Sequence, residues 1–191
     1  GAAGSLPGAG LFRTPLGEVP LDEDLAAELR DCCGEVEEDP VAHVREHAVE
    51  VQLPFIQELC PGATLLPLVL RWSDWGRTER LGRALAALVR AHPGEILIVA
   101  SSDMNHYEPD AVSRAKDARA LEAVRALDGR ELLERCARER ISMCGRVAVA
   151  ALLEAARELG RAPGETVAYA TSGDATGDRT AVVGYAGVVI P

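Results

Sequence analysis

Residues 101–107 read Ser-Ser-Asp-Met-Asn-His-Tyr and place a carboxylate three positions before an imidazole. A carboxylate beside a histidine fixes the tautomer of the ring, and such a pair can shuttle a proton or bind a metal ion. Asp103 and His106 are therefore candidate catalytic residues, and His106 is also a candidate metal ligand. In the structural alternative, Ser102 or Asp103 only caps the next helix and His106 is a surface residue.

Cys144 lies in the segment Ser-Met-Cys-Gly-Arg, directly before a predicted helix. The positive end of a helix dipole stabilises a thiolate, which is the form that binds metals and attacks electrophiles. Gly145 next to it permits a close backbone approach. The alternative is an inert packing cysteine, the more common role of a free thiol.

Glu46 and His47 belong to a third segment, residues 45–55, with the sequence Arg-Glu-His-Ala-Val-Glu-Val-Gln-Leu-Pro-Phe. On a helix, Glu46 and Glu50 would share one face because they are four positions apart. Exposed charged helix faces are common, so a solvated face is the preferred interpretation of the residues alone.

The same segment contains His43-Val-Arg-Glu46-His47, a match to the H-x-x-E-H pattern of one zinc protease class. Short motifs often match by chance. His43 would lie in the first turn of its helix, and no later segment offers an obvious third ligand. We therefore disfavour a protease.

The elements that must position these residues follow from hydrophobic spacing and from glycine and proline breaks. Residues 1–10 read as a loop, 11–21 as extended chain, and 172–178 as a glycine-rich hairpin connection. The uninterrupted apolar run 96–100 predicts a strand buried on both faces of a parallel sheet. The predicted helices are 22–33, 40–60, 78–91, 110–127, 130–140 and 146–159, and the predicted strands are 64–70, 96–100, 166–171 and 181–190.

Alternating strands and helices predict an α/β fold, with a mostly parallel central sheet and helices on both faces. In such sheets, ligands bind beyond the carboxyl ends of the strands. We therefore expect His47, Asp103, His106 and Cys144 to converge on one cleft. The length of 191 residues fits a single domain.

Composition excludes several classes of function. The net charge of −10 argues against a nucleic-acid reader, which carries a basic stripe. No apolar run approaches the roughly 20 residues of a membrane span, and the start lacks the pattern of a signal peptide. Five cysteines in no C-x-x-C arrangement predict reduced thiols in a cytoplasmic protein.

Taken in order, these segments resemble the Memo family, known as the B component of the AmmeMemoRadiSam set. The resemblance rests on five motifs in the family's order. They are residues 14–22 (Thr-Pro-Leu-Gly-Glu-Val-Pro-Leu-Asp), 45–55, 101–107, 144–146 (Cys-Gly-Arg) and 183–186 (Val-Gly-Tyr-Ala).

The resemblance implies a fold similar to the class III, LigB-type extradiol dioxygenases, which hold non-haem iron(II). It implies a pocket in which Cys144 is a metal ligand, with Asp103 and His106 beside the metal and Glu46-His47 supplying a further pocket histidine. Iron(II) is the expected metal and copper the second. Two family segments, Pro-His-Ala-Gly and Gly-Pro-Ser-His, provide the other metal-binding histidines and are absent here. The sequence is therefore expected to lack the N-terminal strands of the domain and to bind metal weakly.

Two functions from different classes remain open. One is a metal-dependent oxidoreductase of the extradiol type that acts on an aromatic diol-like small molecule. The other is a binding or adaptor module that recognises a peptide or small molecule without turnover. The family name also suggests a radical-SAM partner protein. The residues leave the substrate, the native metal and the oligomeric state undetermined.

Overall fold

The computed structural model describes residues 4–191, which contain seven α-helices and three small sheets. This confirms a mixed α/β protein. The chain divides into two compact units, Gly1–Trp72 and Ser73–Pro191. Two such units can belong to one domain, so the single-domain interpretation stays a prediction.

The first unit begins with a buried strand where the sequence suggests a loop. Its elements are β1 (Gly4–Leu6), β2 (Leu11–Thr14), β3 (Gly17–Pro20), α1 (Glu23–Cys32), β4 (Val36–Glu38), α2 (Leu53–Leu59) and β5 (Val69–Leu70). β1 pairs parallel with β4 and antiparallel with β5, while β2 and β3 form a hairpin. The Asp22 side chain accepts the N–H of Leu25, which confirms the predicted cap of α1. The loop interpretation is wrong for residues 4–6, and residues 1–3 lie outside the described part.

The single helix predicted for residues 40–60 is wrong. The chain instead forms two short 3-10 turns, Pro40–His43 and Glu50–Gln52, before α2. The Glu46 carboxylate accepts the backbone N–H groups of His47 and Ala48, both at 2.8 Å. Local bonds of this kind compete with helical hydrogen bonding and interrupt the helix. Glu46 and Glu50 therefore do not share a helical face.

The second unit agrees more closely with the predicted elements. It contains α3 (Trp75–Ala91), β6 (His106–Glu108), α4 (Asp110–Arg125), α5 (Gly129–Glu139), α6 (Arg146–Glu158), β7 (Glu165–Thr171), α7 (Ser172–Thr176) and β8 (Val182–Val189). The four long helices and the last two strands are confirmed. The strands form an antiparallel sheet in the order β6-β8-β7. The connection between β7 and β8 carries a short helix, α7, where the sequence suggests a plain turn.

The predicted buried strand at residues 96–100 is wrong. These residues pair with no strand within the described range 4–191, and Leu97 is 77% exposed. The apolar run indicates burial, yet no neighbouring strand of the described chain covers it. The predicted strand 64–70 is reduced to β5 and an isolated bridge between Leu65 and Leu21. Among the described residues the pairing is mostly antiparallel, so the parallel central sheet is not found there.

The core of the second unit forms where α4, α5 and α6 pack together. Its members include the fully buried Leu132 and Leu153, with Leu121 and Val124 from α4. Buried positions recur along α6 at helical spacing, as expected for a helix with an apolar stripe. These helices fix the loops that precede β6 and α6, which carry the candidate site residues.

All five cysteines are free thiols. Burial raises the pKa of Cys136 to about 11, which marks it as a packing residue. Within the described part of the chain, every helix is too short or too polar to cross a bilayer.

Candidate functional site

Three side chains of different chemistry meet in the second unit. Asp103, His106 and Cys144 each offer one possible ligand atom, and these atoms all lie within 4.8 Å of one another. Asp103 precedes β6, His106 is the first residue of β6, and Cys144 stands two residues before α6. The structure therefore brings together three of the five residues that the sequence singles out.

A close backbone approach joins the two segments. A side chain at Gly145 would meet the Ser101 carbonyl oxygen, and its Cβ would lie 2.7 Å from the Cβ of Ser102. The Gly145 N–H donates to the Ser102 hydroxyl at 2.8 Å, and the Asp103 N–H donates to the Cys144 sulfur at 3.2 Å. Glycine is required here because no side chain fits between the segments. This confirms the role expected for Gly145.

The orientation of His106 is fixed by one residue, Ser142. The His106 Nδ1 lies 2.8 Å from the Ser142 carbonyl, and the His106 N–H donates to the Ser142 hydroxyl at 2.8 Å. A carbonyl only accepts, so Nδ1 must carry the proton. Nε2 of the neutral ring then presents a lone pair, 3.5 Å from an Asp103 carboxylate oxygen. This is the tautomer that binds a metal or accepts a proton through Nε2.

The buried Asn105 side chain holds Ser142 in place through hydrogen bonds. Its amide oxygen accepts both the N–H and the hydroxyl of Ser142 at 3.1 Å. Its amide nitrogen donates to the Glu108 carboxylate at 2.7 Å and to the Ser113 hydroxyl at 3.1 Å. A fully bonded buried amide of this kind has one orientation only. The position of His106 is therefore determined by a buried network.

Asp117 forms the next layer of this network. It is fully buried, and it accepts the Asn105 N–H at 2.8 Å and the Tyr169 hydroxyl at 2.7 Å. Burial raises the pKa of the Asp117 carboxyl, while the bond from Tyr169 acts in the opposite direction. Burial also raises the pKa of the Tyr169 hydroxyl. Hydrogen bonds through Asp117 thus connect the site to Tyr169 on β7.

The backbone at the site is strained at Tyr107, which has φ 59°. A residue other than glycine in this left-handed region costs on the order of 1–3 kcal/mol, and such residues cluster at functional sites. Tyr107 is also 78% exposed, with its ring centroid 5.6 Å from that of His106. The strain occurs directly after the candidate histidine ligand.

The donor set fits a transition metal. Nitrogen, sulfur and oxygen ligands bind zinc-like ions at about 2.0–2.3 Å, so two ligands of one ion lie no more than roughly 4.6 Å apart. The observed limit of 4.8 Å is close to that distance. A ligating histidine usually donates its second N–H to a carbonyl or carboxylate, as His106 does to Ser142. Cys144 is exposed and Asp103 half-buried, so the site is open to solvent.

Glu46 and His47 lie in the first unit, in a different local setting. The His47 side chain is 83% exposed, and Glu46 uses one carboxylate oxygen for its two backbone bonds. Their convergence with Asp103, His106 and Cys144 stays a prediction. The protease motif, residues 43–47, does not lie on an α-helix, because a 3-10 turn ends at His43. The His43 Nε2 lies 3.0 Å from the Ser5 carbonyl oxygen. Burial lowers the pKa of His43. The geometry agrees with rejecting a protease.

Sequence reasoning overlooked the residues that hold the site together. Asn105 and Ser142 stand inside the segments that it singled out, yet neither was assigned a role. An asparagine between an apolar residue and a histidine at a strand start is a weak indication of burial. Asp117 lies on α4 with no local pattern that distinguishes it from its solvated neighbours.

Comparison with known proteins gives a consistent result. A family model described as Memo-like protein matches residues 5–189. A MEMO1 family protein of Methanocaldococcus jannaschii is 38% identical over 185 residues, which is 95% of this chain and 64% of that protein. A MEMO1 family protein of Thermotoga maritima is 40% identical over 181 residues, 95% of this chain and 64% of that protein.

A MEMO1 family protein of Caldivirga maquilingensis is 36% identical over 188 residues, 98% of this chain and 67% of that protein. The chain thus spans about two thirds of the length of these relatives. Because the family model covers nearly all of its residues, the chain belongs to the Memo-like family.

Proposed function

We propose that this chain carries the metal-binding redox pocket of a Memo-like protein, with Cys144 and His106 as metal ligands and Asp103 as the acid–base group beside them. The observation that carries the proposal is the approach of three ligand atoms to within 4.8 Å from segments about 40 residues apart. The carbonyl of Ser142 adds support, because it directs the Nε2 lone pair of His106 toward Asp103.

Iron(II) is the proposed metal, with copper as the second choice. Imidazole suits both metals, carboxylates accompany histidine in non-haem iron(II) sites, and thiolates favour copper(I) and iron–sulfur chemistry. A bound ion would supply one-electron redox chemistry. The two proposed ligands, Cys144 and His106, form an incomplete shell, and the family resemblance assigns two further histidines to segments that this sequence does not contain. We therefore expect weak binding in the present chain.

The residues of the chain would handle protons and orientation. The Ser142 carbonyl keeps the proton of His106 on Nδ1, so Nε2 is free to bind. Asp103 would accept a proton from an acidic hydroxyl such as that of an aromatic diol, the substrate class implied by similarity to extradiol dioxygenases. By the same resemblance, Glu46 and His47 are proposed as a second acid–base pair. A LigB-like, mostly parallel sheet in the complete protein is part of this proposal.

The openness of the site favours a second candidate, a binding or adaptor module. Cys144 is exposed, and oxygen chemistry usually needs a site that excludes water. A peptide or small molecule could reach this surface without turnover. A radical-SAM partner is a further proposal from the resemblance. Free thiols and a net charge of −10 are compatible with a cytoplasmic protein that does not bind nucleic acid.

Metal titration under anaerobic conditions tests the proposal directly. Iron(II), copper(I) and zinc would be titrated into this chain, into the variants Cys144→Ser and His106→Gln, and into Cys60→Ser as a control with an exposed thiol. We expect each site variant to weaken binding at least about tenfold, as loss of a ligand or its support does. The control should bind like the parent chain. Equal binding by all four proteins would refute a site at Cys144.

Oxygen uptake with a panel of catechols then separates the two candidates. It requires the longer protein, because the chain alone is expected to bind metal weakly. Metal-dependent oxygen consumption that is lost in Cys144→Ser supports the oxidoreductase. Tight metal binding without consumption of oxygen or catechol supports the binding module.

A further inference from the structure

Lys116 on α4 makes an unusual pair of contacts next to the candidate site. Of the 20 lysine and arginine residues of the chain, it is the only lysine. Its side chain is 21% exposed, and its Nζ donates to the Glu108 carboxylate at 2.6 Å and to the Arg140 carbonyl at 2.9 Å. An ammonium group has three donors on one nitrogen, so it can bond to acceptors that lie in different directions. Lys116 therefore joins β6 to the end of α5.

The two segments that Lys116 joins carry candidate ligands. β6 begins at His106, and the 140–144 loop, which connects α5 to α6, contains Ser142 and Cys144. Arg140 ends α5 with a left-handed backbone, φ 54°, and the chain turns there into the loop. A bond to the carbonyl of Arg140 fixes the point at which this loop leaves the helix. The loop is thus held where it begins, two positions before Ser142.

A second route leads from Lys116 to the same loop through Glu108. The Glu108 oxygen that accepts from Lys116 also accepts from the Asn105 amide nitrogen, at 2.7 Å. An ionised carboxylate only accepts, so it turns the nitrogen of Asn105 toward itself and the amide oxygen toward Ser142. A reversed amide would place its N–H groups against the Ser142 N–H, and two donors cannot bond to each other. Lys116 thus fixes the carboxylate that orients Asn105.

We propose that Lys116 is the positioning residue of the site: it holds the 140–144 loop against β6 and, through Glu108, keeps the His106 proton on Nδ1. The tautomer of a histidine is set by the partner of its other nitrogen, and here that partner is the Ser142 carbonyl. The consequence for metal binding rests on the proposed function, whereas the consequence for the tautomer does not. The alternative is an ordinary ion pair near the surface, which contributes little.

Arg135 offers a matched control on the same two helices. This residue of α5 donates to the Glu122 carboxylate at 2.7 Å and to the Arg119 carbonyl at 2.6 Å, and its side chain is 14% exposed. Like Lys116, it links α4 and α5 through one carboxylate and one carbonyl. Both acceptors lie on α4 and belong to neither β6 nor the 140–144 loop. Its removal therefore loosens the helices without releasing the site.

Nitrogen NMR of the metal-free chain tests the effect on the tautomer. Histidines are labelled with ¹⁵N, and spectra are taken at about pH 8, where an ordinary imidazole is neutral and the shift of each ring nitrogen reports whether it carries the proton. The His106 signals are identified by their loss in His106→Gln. We expect Nδ1–H in the parent and a mixture of both tautomers in Lys116→Met. Arg135→Met and Lys116→Arg, which keeps the charge and its donors, should resemble the parent.

Zinc titration of the same proteins tests the effect on the ligands. Lys116→Met should bind zinc at least about tenfold more weakly, the usual effect of losing a group that orients a ligand. Lys116→Arg should recover most of that loss, and Arg135→Met should bind like the parent. Urea denaturation shows that each variant is folded. If Lys116→Met does not fold, Lys116→Gln takes its place, since it removes only the charge and one donor, and both readouts should change in the same direction.

Two results would overturn the proposal. An unchanged tautomer and unchanged zinc affinity in Lys116→Met would show that Lys116 forms only a surface ion pair. Equal changes in Arg135→Met would show that any loosening of α4 and α5 disturbs the site. A parent chain that binds no metal would refute the proposed function instead, and the His106 tautomer alone would then decide the role of Lys116.

Discussion

The segments around Asp103 and around Glu46 look alike in sequence but are held in different ways. Both combine a carboxylate with a histidine within four residues. His106 is held by Ser142, which is 36 positions away, and Ser142 is held by the buried Asn105. Glu46 bonds instead to the backbone of the next two residues, and the His47 side chain is 83% exposed.

The difference shows how firmly each pair of side chains is held before a ligand binds. The residue types are similar, but in the described chain the Glu46 carboxylate bonds to its own neighbours, whereas His106 bonds to Ser142, which is 36 positions away. Positioned groups can act together on a ligand because their geometry is fixed before it arrives. Substitutions should therefore have larger effects in the first segment than in the second.

Removing the Asn105 side chain is expected to have the largest effect. Asn105→Ala removes the side-chain partner of the buried Ser113 hydroxyl and of the Ser142 N–H and hydroxyl, and a buried group without a partner costs about 1–3 kcal/mol. We expect a loss of about 2–3 kcal/mol in the free energy of unfolding, measured by urea denaturation. Gln57→Ala is the control, since this half-buried amide accepts one bond, from Thr14. Similar losses in both variants would contradict the network.

Closing the space at Gly145 should have the next largest effect. A Cβ there would meet Ser101 and Ser102, and overpacking of this kind costs roughly 1–3 kcal/mol. Gly145→Ala should also displace Cys144 and weaken metal binding. Gly34→Ala is the matched control, because nothing lies within 4 Å of its added Cβ. A stable Gly145→Ala with unchanged metal affinity would mean that the close approach is dispensable.

These two residues also show how far the sequence can predict the structure. Asp103, His106 and Cys144 could be selected because their types and their positions at element ends are local features. Their support by Asn105 could not, because a buried amide network depends on which loops meet. Gly145 is intermediate: its neighbour Cys144 suggested a close approach, but not that Ser101 would be the partner.

The fold shows the same limit. Helices α3 to α6 follow from periodicity and caps, and their ends are confirmed to within three residues. The helix over residues 40–60 failed because Glu46 bonds locally, which periodicity does not reveal. Residues 96–100 were expected to be a buried strand because their side chains favour burial, yet a strand also needs a neighbour. The apolar side chains of residues 96–100 favour burial in a sheet, and the described part of the chain provides no neighbouring strand for them.

Acid should weaken the ion pairs that Asp110, the first residue of α4, forms with Arg114 and Arg179. Bonds from Arg114, Thr171 and Arg179 lower the pKa of Asp110 to about 2. A carboxyl with a lowered pKa stabilises the fold above its unfolded pKa of about 3.9, and this contribution is lost as the pH falls toward 2. Asp110→Asn should therefore flatten the decline of stability between pH 4 and pH 2, measured by urea midpoints. An unchanged slope would show that Asp110 is not linked to folding.

Thiol labelling compares Cys144 with a buried cysteine of the same unit. Cys144 is exposed, and its sulfur accepts the Asp103 N–H. Cys136 is buried, and burial raises the pKa of its thiol to about 11. Because an accessible thiolate is the reacting form, Cys144 should react at least about tenfold faster than Cys136 at pH 7. Equal rates for Cys144 and Cys136 would return Cys144 to a packing role.

The smallest effect is expected in the second segment, where the hydrogen bonds described for the Glu46 carboxylate run to the next two residues. Glu46→Ala removes two bonds to backbone N–H groups that lie near the surface and can bond to water instead. We expect a loss of about 0.5–1 kcal/mol in unfolding free energy, the usual net value of such bonds, and unchanged metal affinity. Glu46→Gln keeps an acceptor oxygen and should recover most of that loss. A drop in metal affinity in Glu46→Ala but not in Glu46→Gln would show that the segment contributes to the site through its structure. A drop in both would assign a role to the charge itself, and the contrast between the two segments would no longer hold.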